Sequence, residues 1–222
     1  MKKTIICLMV AGIAVQTAAG AANLKPASTK EGYLARLLLN EVPFPGESGW
    51  VSEADSKAAM LAILWVLHSR VALVPDGYRQ SEIAAVKTRD IIDVITVGGV
   101  HGQCEGFYRD KSGKPAMVAR VPKRLNYLLK IANKGKPGKF ARLINYAQGL
   151  SDSYFRGGIE ESDRFAKLKK VNGTPVTGHA YSWMTDRSFY HPGGDFIKIP
   201  DAKGGSIGGN RFSTLKDREK TK

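Results

Sequence analysis

Cysteine is almost missing from this chain, and what there is cannot pair. Cys7 lies in an apolar N-terminal run and Cys104 is the only other one, so a chain that has lost its N-terminus holds no internal disulfide. Stability outside the cytoplasm then has to come from packing. Histidine is scarce too, four residues with no HExxH, and no CxxC accompanies them, which points to no metal and no cofactor. "GGSIGGN" lacks the Lys-Ser/Thr that would complete a phosphate loop, and no motif for specific nucleic-acid binding is present. After the N-terminus no stretch is long and apolar enough to span a bilayer. Acidic residues are outnumbered, 20 against 34 basic ones, and the formal charge is +14. Such a field favours polyanionic surfaces without naming one, and outside the cytoplasm acidic envelope polymers are the natural candidates.

What is present at the start is "MKKTIICLMVAGIAVQTAAGAA", residues 1–22: two lysines, an apolar run from Ile5 to Val15, then small residues. That is the pattern of a secretory signal, with cleavage after Ala21 or Ala22, and it predicts an exported, periplasmic or secreted protein with no membrane attachment after cleavage. The remaining chain of about 200 residues fits one domain with a substantial core. Neither an internal repeat nor a dividing linker is visible. The expected organisation is a signal over 1–22, a domain over 23–200, and a Gly-rich, then charged tail over 201–222 that is partly disordered.

Helical spacing dominates the first two-thirds. "GYLARLLLNEVPFPG" ends a leucine face with an acid: Leu34, Leu37, Leu38 and Glu41 fall at i, i+3, i+4 and i+7, and Pro43 and Pro45 come just beyond. "SEADSKAAMLAILWVLHSRVAL" reads as the central buried helix, with Trp65 in the core. "EIAAVKTRDIIDVIT" predicts a further helix capped by Ser81, and "VGGVHGQCEGFYRDKSGK" an irregular Gly-rich stretch. "PKRLNYLLKIANKG" and "KPGKFARLINYAQGL" each show one apolar face. After Asn172, short aromatic and β-branched pieces separated by Gly and Pro suggest a small sheet or extended loops. The class is α+β, mainly α-helical with a small β/loop C-terminal portion.

Glu41 is the first candidate for chemistry. Burial disfavours a carboxylate, and the negative end of the helix dipole acts in the same direction, so an acid there can stay protonated near neutral pH. A protonated acid is what a glycoside-cleaving enzyme uses on its leaving oxygen. The plainer reading, a margin residue facing solvent, stands beside it. Aromatic platforms for sugar faces are available in the expected loops at Trp50, Tyr108, Tyr181 and Trp183. A hydrolase would also need a second carboxylate, for which Glu53, Asp55, Asp93 and Glu105 are candidates. His68 and His101 read as structural.

"LARLLLNEV", "AAMLAILWVLHSRV", "DVITVGGVHGQCEGF" and "YAQGL", in that order, resemble the SleB-like cell wall hydrolases. The resemblance covers roughly Gly32 to Leu150 and extends weakly into "GHAYSW". It implies a lysozyme-like domain that cleaves the glycan strand of peptidoglycan, with Glu41 as the catalytic glutamate and Gln103 lining the cleft beside it. His179 is a further candidate there. Because the resemblance supplies one glutamate, it inclines toward a lytic transglycosylase over a hydrolase. The sequence departs from the family pattern at Asn40 (usually glycine), Val42 (usually alanine), Ser69 (usually asparagine) and Cys104 (usually aromatic).

Two other readings remain open. Cys104 in "GQCEGF", with His179 and Asp195 downstream, has the order of a Cys-His amidase, and "CEGF" loosely resembles the "DCSGF" of NlpC-type peptidases. A basic envelope-polysaccharide binding protein without catalysis fits the charge and aromatics as well.

Overall fold

The computed structural model describes residues 21–134, 138–186, 192–200 and 206–220. The expected signal, apart from Ala21 and Ala22, lies outside them, as do 201–205 and 221–222 of the expected tail. Helix α1 (Lys30–Asn40) begins where the Thr29 hydroxyl accepts the Gly32 N–H, and it buries Tyr33, Leu34, Ala35, Leu37, Leu38 and Leu39. Gly32 is required by close approach: a Cβ there would stand 2.1 Å from the Pro26 carbonyl oxygen. α1 is therefore buried nearly all round, a role the sequence assigned to the next helix alone.

That next helix, α2 (Glu53–Ala72), starts at Ser52, whose hydroxyl accepts the Asp55 N–H. It packs beside α1, but Trp65 is only partly buried and donates its ring N–H to the Glu161 carbonyl. The single helix expected over 82–96 is two short ones, α3 (Gln80–Ala84) and α4 (Ile91–Thr96). Ala85 has φ 57°, which a continuing helix cannot accommodate, and Asp90, not Ser81, provides the side-chain cap, at the start of α4. After a 3-10 turn (Gly99–His101), β1 (Phe107–Arg109) and β2 (Pro115–Met117) form an antiparallel hairpin in the stretch expected to be irregular. The Asp110 carboxylate closes its turn by accepting from the Ser112 and Lys114 N–H groups.

α5 (Arg120–Ala132) and α6 (Lys139–Gly157) complete the helical part, α6 lying along α1 and α2. A two-stranded pair, β3 (Lys170–Val171) and β4 (Thr174–Pro175), leads to an antiparallel sheet of β5 (Ser182–Thr185), β6 (Phe196–Lys198) and β7 (Asn210–Leu215), in the order β5-β7-β6. The fold is α+β, as the residue pattern indicated.

The tail reading needs correction: β7 is the central strand, and Phe212, Ser213, Thr214 and Leu215 are buried. The boundary at 200 would cut this sheet. Beyond it, the Arg218 guanidinium lies 3.9 Å from the centroid of the Tyr78 ring and pairs with Asp195 at 2.8 Å, fixing the chain end to the turn before α3. Charge masked the strand, because Lys216, Asp217 and Arg218 read as a solvated end although Arg218 finds its partners at Tyr78 and Asp195.

Phe212 is 3% exposed and its ring sits 5.4 Å from that of Phe165. Phe212→Ala is expected to cost about 3–5 kcal/mol, the usual range for emptying a buried aromatic site, in urea unfolding followed by circular dichroism. A disordered tail would show no change.

Candidate functional site

The burial of α1 delivers Glu41 to a cavity. The residue is the C-cap of α1, its N–H still donating to the Leu37 carbonyl at 3.1 Å. One carboxyl oxygen, Oε2, accepts the Trp183 ring N–H at 3.0 Å, and the other accepts the Asn40 amide at 3.2 Å. The Asn210 amide donates to the Glu41 backbone carbonyl at 2.7 Å. Trp183 belongs to β5 and Asn210 to β7, so the C-terminal sheet closes over the end of α1.

Burial dominates the titration of Glu41 and pushes its carboxyl up from the ordinary range. The hydrogen bonds from Trp183 and Asn40, and the charges of Arg120 and Arg124, act the other way without cancelling it. Among the described residues with a resolved shift, every other carboxyl is drawn down: Glu53, Glu82, Asp93, Asp110, Asp195 and Asp217. Glu41 is the one among these whose surroundings favour the protonated form.

Two arginines of α5 brace the same region. Arg124 donates to the Leu39 and Val42 carbonyls at 2.8 and 3.0 Å, placing a cation on the negative end of α1, and pairs with Glu47 at 2.6 Å. Arg120 pairs with Glu105 at 2.8 Å. The cavity holding Glu41 has a volume of about 420 Å³ and is bordered by Gln103, Trp183 and Met184. Those three residues also border a second cavity of about 610 Å³, lined further by Arg70, His101 and Phe196. A third, about 220 Å³, shares Met184, Pro192 and Phe196 with the second. The three adjoin one another through these shared residues, and Glu41 borders the first.

Arg70, near the end of α2, orders the junction. Its guanidinium is buried, donates to the Gln103 side-chain oxygen and to the Tyr181 carbonyl, and lies 5.7 Å from the centroid of the Trp183 ring. Burial lowers its pKa to about 10, which still leaves it charged at neutral pH. The Gln103 amide nitrogen in turn donates to the Ala84 carbonyl at 3.2 Å, next to the left-handed Ala85. A chain of contacts therefore runs from the strained turn through Gln103, Arg70 and Trp183 to Glu41.

The expected site residues divide clearly. Glu41, Gln103 and Trp183 come together. Tyr181 does not: it is 1% exposed, and its hydroxyl donates to the Leu73 carbonyl at 2.7 Å. Trp50 is partly buried against the core and borders none of the three cavities. Neither does Tyr108, which pairs with Ala116 in the hairpin. His179 is held at 2.6 Å by Asp163 and also lies off the groove. Cys104 is 1% exposed, and burial is the main influence pushing its thiol up, an environment that disfavours a reactive thiolate. Asp195, the expected third member of that arrangement, is paired with Arg218.

Of the four second-acid candidates only Glu105 borders the Glu41 cavity. Glu53 is held by Arg142 and Lys57, Asp55 accepts the Gly208 N–H, and Asp93 binds Thr88 and Arg109. Asp186 borders the cavity as well and had no sequence signal. Arg70 had the same signal as Glu41, a charged residue at the end of an apolar helix, yet sequence reasoning passed over it. Asn40, noted as a departure from the family pattern, donates to the site acid. No metal-binding cluster of His, Cys, Asp and Glu occurs among the described residues.

Compared with known proteins, the chain matches no family model, no curated protein and no solved structure.

A raised carboxyl has a measurable cost to folding. The folded state holds the Glu41 proton above the pH at which the unfolded chain releases it, so stability declines as pH rises from the ordinary glutamate range through the raised value. Glu41→Gln is expected to raise stability by about 0.5–2 kcal/mol at pH 7. The gain should vanish below the ordinary glutamate pKa in melting experiments across pH.

Proposed function

We propose that this chain is an exported, lysozyme-like enzyme that cleaves the glycan strand of peptidoglycan, with Glu41 as general acid. The observation that carries the reading is an acid at the end of α1 whose carboxyl is pushed up by burial and which borders a run of adjoining cavities. A polymer fits a groove of joined cavities better than a small molecule fits one closed pocket. Protonation of the glycosidic oxygen by Glu41 would release the leaving sugar, and the resulting carboxylate would be stabilised by the Trp183 N–H and the Asn40 amide. The same carboxylate can then take a proton from the sugar's own hydroxyl as that oxygen closes onto the anomeric carbon. This is the lytic route, in which one residue serves as acid and then base and no water is consumed.

The resemblance of the four motifs to the SleB-like cell wall hydrolases supports this reading independently of the groove, since it points to the same glutamate. The basic surface supports acidic envelope polymers as the setting.

Three proteins decide the matter by mass spectrometry of fragments released from purified peptidoglycan: the unaltered chain, Glu41→Gln and Cys104→Ala. The expected result is disaccharide-peptides with anhydro ends, reduced at least about 100-fold in Glu41→Gln and retained in Cys104→Ala. Reducing ends would replace the lytic route by hydrolysis. Free stem peptides, or unchanged activity in Glu41→Gln, would sink the proposal.

The pH profile supplies a second test. Activity requires the protonated acid, so it should fall as pH rises through the raised Glu41 pKa. The Trp183 N–H favours the carboxylate, so Trp183→Phe should move this descending limb to higher pH. Movement to lower pH would contradict the assigned role of that hydrogen bond.

A further inference from the structure

We propose that the outer face of α5 is a docking rail for a carboxylate-bearing glycan strand, leading out of the Glu41 cavity. The choice of partner rests on the function proposed above, whereas the surface itself is independent of it.

α5 reads RVPKRLNYLLKIA and contains no acidic residue. Arg120, Lys123, Tyr127 and Lys130 fall at i, i+3, i+7 and i+10, so they share one helix face, and Lys134 continues their direction just past the helix end. All five are exposed. Arg120 borders the Glu41 cavity, so the stripe begins at the candidate site. At about 1.5 Å per residue it extends roughly 15 Å from Arg120 to Lys130.

One feature separates this stripe from the other surface lysines, most of which, like Lys123, Lys130 and Lys134, have no carboxylate partner among the described residues. Tyr127, at 63% exposure, is the only exposed aromatic among the described residues, and it stands between two of these lysines. The unpaired lysines at Lys167 and Lys169 have no such companion.

An aromatic ring flanked by ammonium groups offers a face for the C–H side of a sugar and charges for carboxylates on either side. A glycan strand carrying acidic peptide stems presents both at repeating intervals. Single-stranded nucleic acid also combines a stacking face with anionic groups. The glycan is favoured because the stripe opens into the groove that holds Glu41.

The test uses Glu41→Gln protein, to prevent cleavage, in pelleting assays with purified peptidoglycan at low and physiological salt. Lys123→Glu/Lys130→Glu should bind roughly tenfold more weakly or worse, since two ion pairs become two repulsions. Tyr127→Ala should weaken binding at both salt levels. Lys167→Glu/Lys169→Glu carries the same change in net charge and should leave binding within about twofold. Equal loss in that control would overturn the rail in favour of diffuse attraction. Displacement of the glycan by equal amounts of a single-stranded oligonucleotide would overturn it in favour of nucleic acid. Each stripe variant is also assayed with Glu41 restored on short soluble glycan fragments. Cleavage retained there supports a docking role distinct from the chemistry. Stripe-dependent binding by a chain that cleaves nothing would uphold the rail and remove the enzyme reading alone.

Discussion

The hydrogen bond from the Trp183 ring N–H to the Glu41 carboxyl joins the helical layer to the C-terminal sheet at the acid that ends α1. On one side is α1, buried on almost every face, which ends at that acid. On the other is a three-stranded sheet whose first strand carries the indole and whose central strand carries Asn210, the donor to the Glu41 backbone. Without the sheet the end of α1 would open to solvent, and the carboxyl would titrate as an ordinary surface acid. The opposed influences on Glu41 come from this closure: enclosure raises its pKa, and the donors that complete the enclosure restrain the rise.

The surroundings of the acid are built from paired charges. Arg124 satisfies two carbonyls at the end of α1 while neutralising Glu47, and Arg120 neutralises Glu105. Arg70, buried beside the second cavity, directs its donors to Gln103 and a backbone carbonyl and lies over the Trp183 ring. A buried guanidinium is tolerated only with such partners, and the geometry that satisfies it also orients the indole. Under the proposed function, the arrangement places stability and reactivity in opposition at one residue. A neutral side chain at position 41 would suit the core better, and it would not deliver a proton.

Several elements were readable from the chain because their cause is local. The leucine spacing of α1, its proline stop and the acid on its last turn are visible within fifteen residues, as are α2 and the apolar faces of α5 and α6. Other features have causes distant in sequence. Tyr181 and Trp183 are two residues apart in the same short segment and look equally suited to a sugar. One is sealed against Leu73 and the other reaches Glu41, because Tyr181 precedes β5 and packs by the end of α2, whereas Trp183 lies within the strand. Cys104, read as a possible nucleophile from its glycine neighbours, lies under the groove with its thiol enclosed. The break at Ala85 interrupts a helical pattern that had no proline or glycine to announce it. The C-terminal strand was hidden by the charges after it, of which Arg218 finds its partners at Tyr78 and Asp195.

Composition and periodicity by themselves determined the helical layer, the mixed α+β class, the excess of positive charge and the unusual position of Glu41, since each depends on neighbours within a few turns. Only the tertiary structure decided what that acid experiences. Its pKa depends on enclosure by residues more than 140 positions away, and its groove is bounded by side chains from α1, α2, α5, the loop around Gln103 and the C-terminal sheet. Desolvation is a property of everything surrounding a group at once, and no window of sequence contains that.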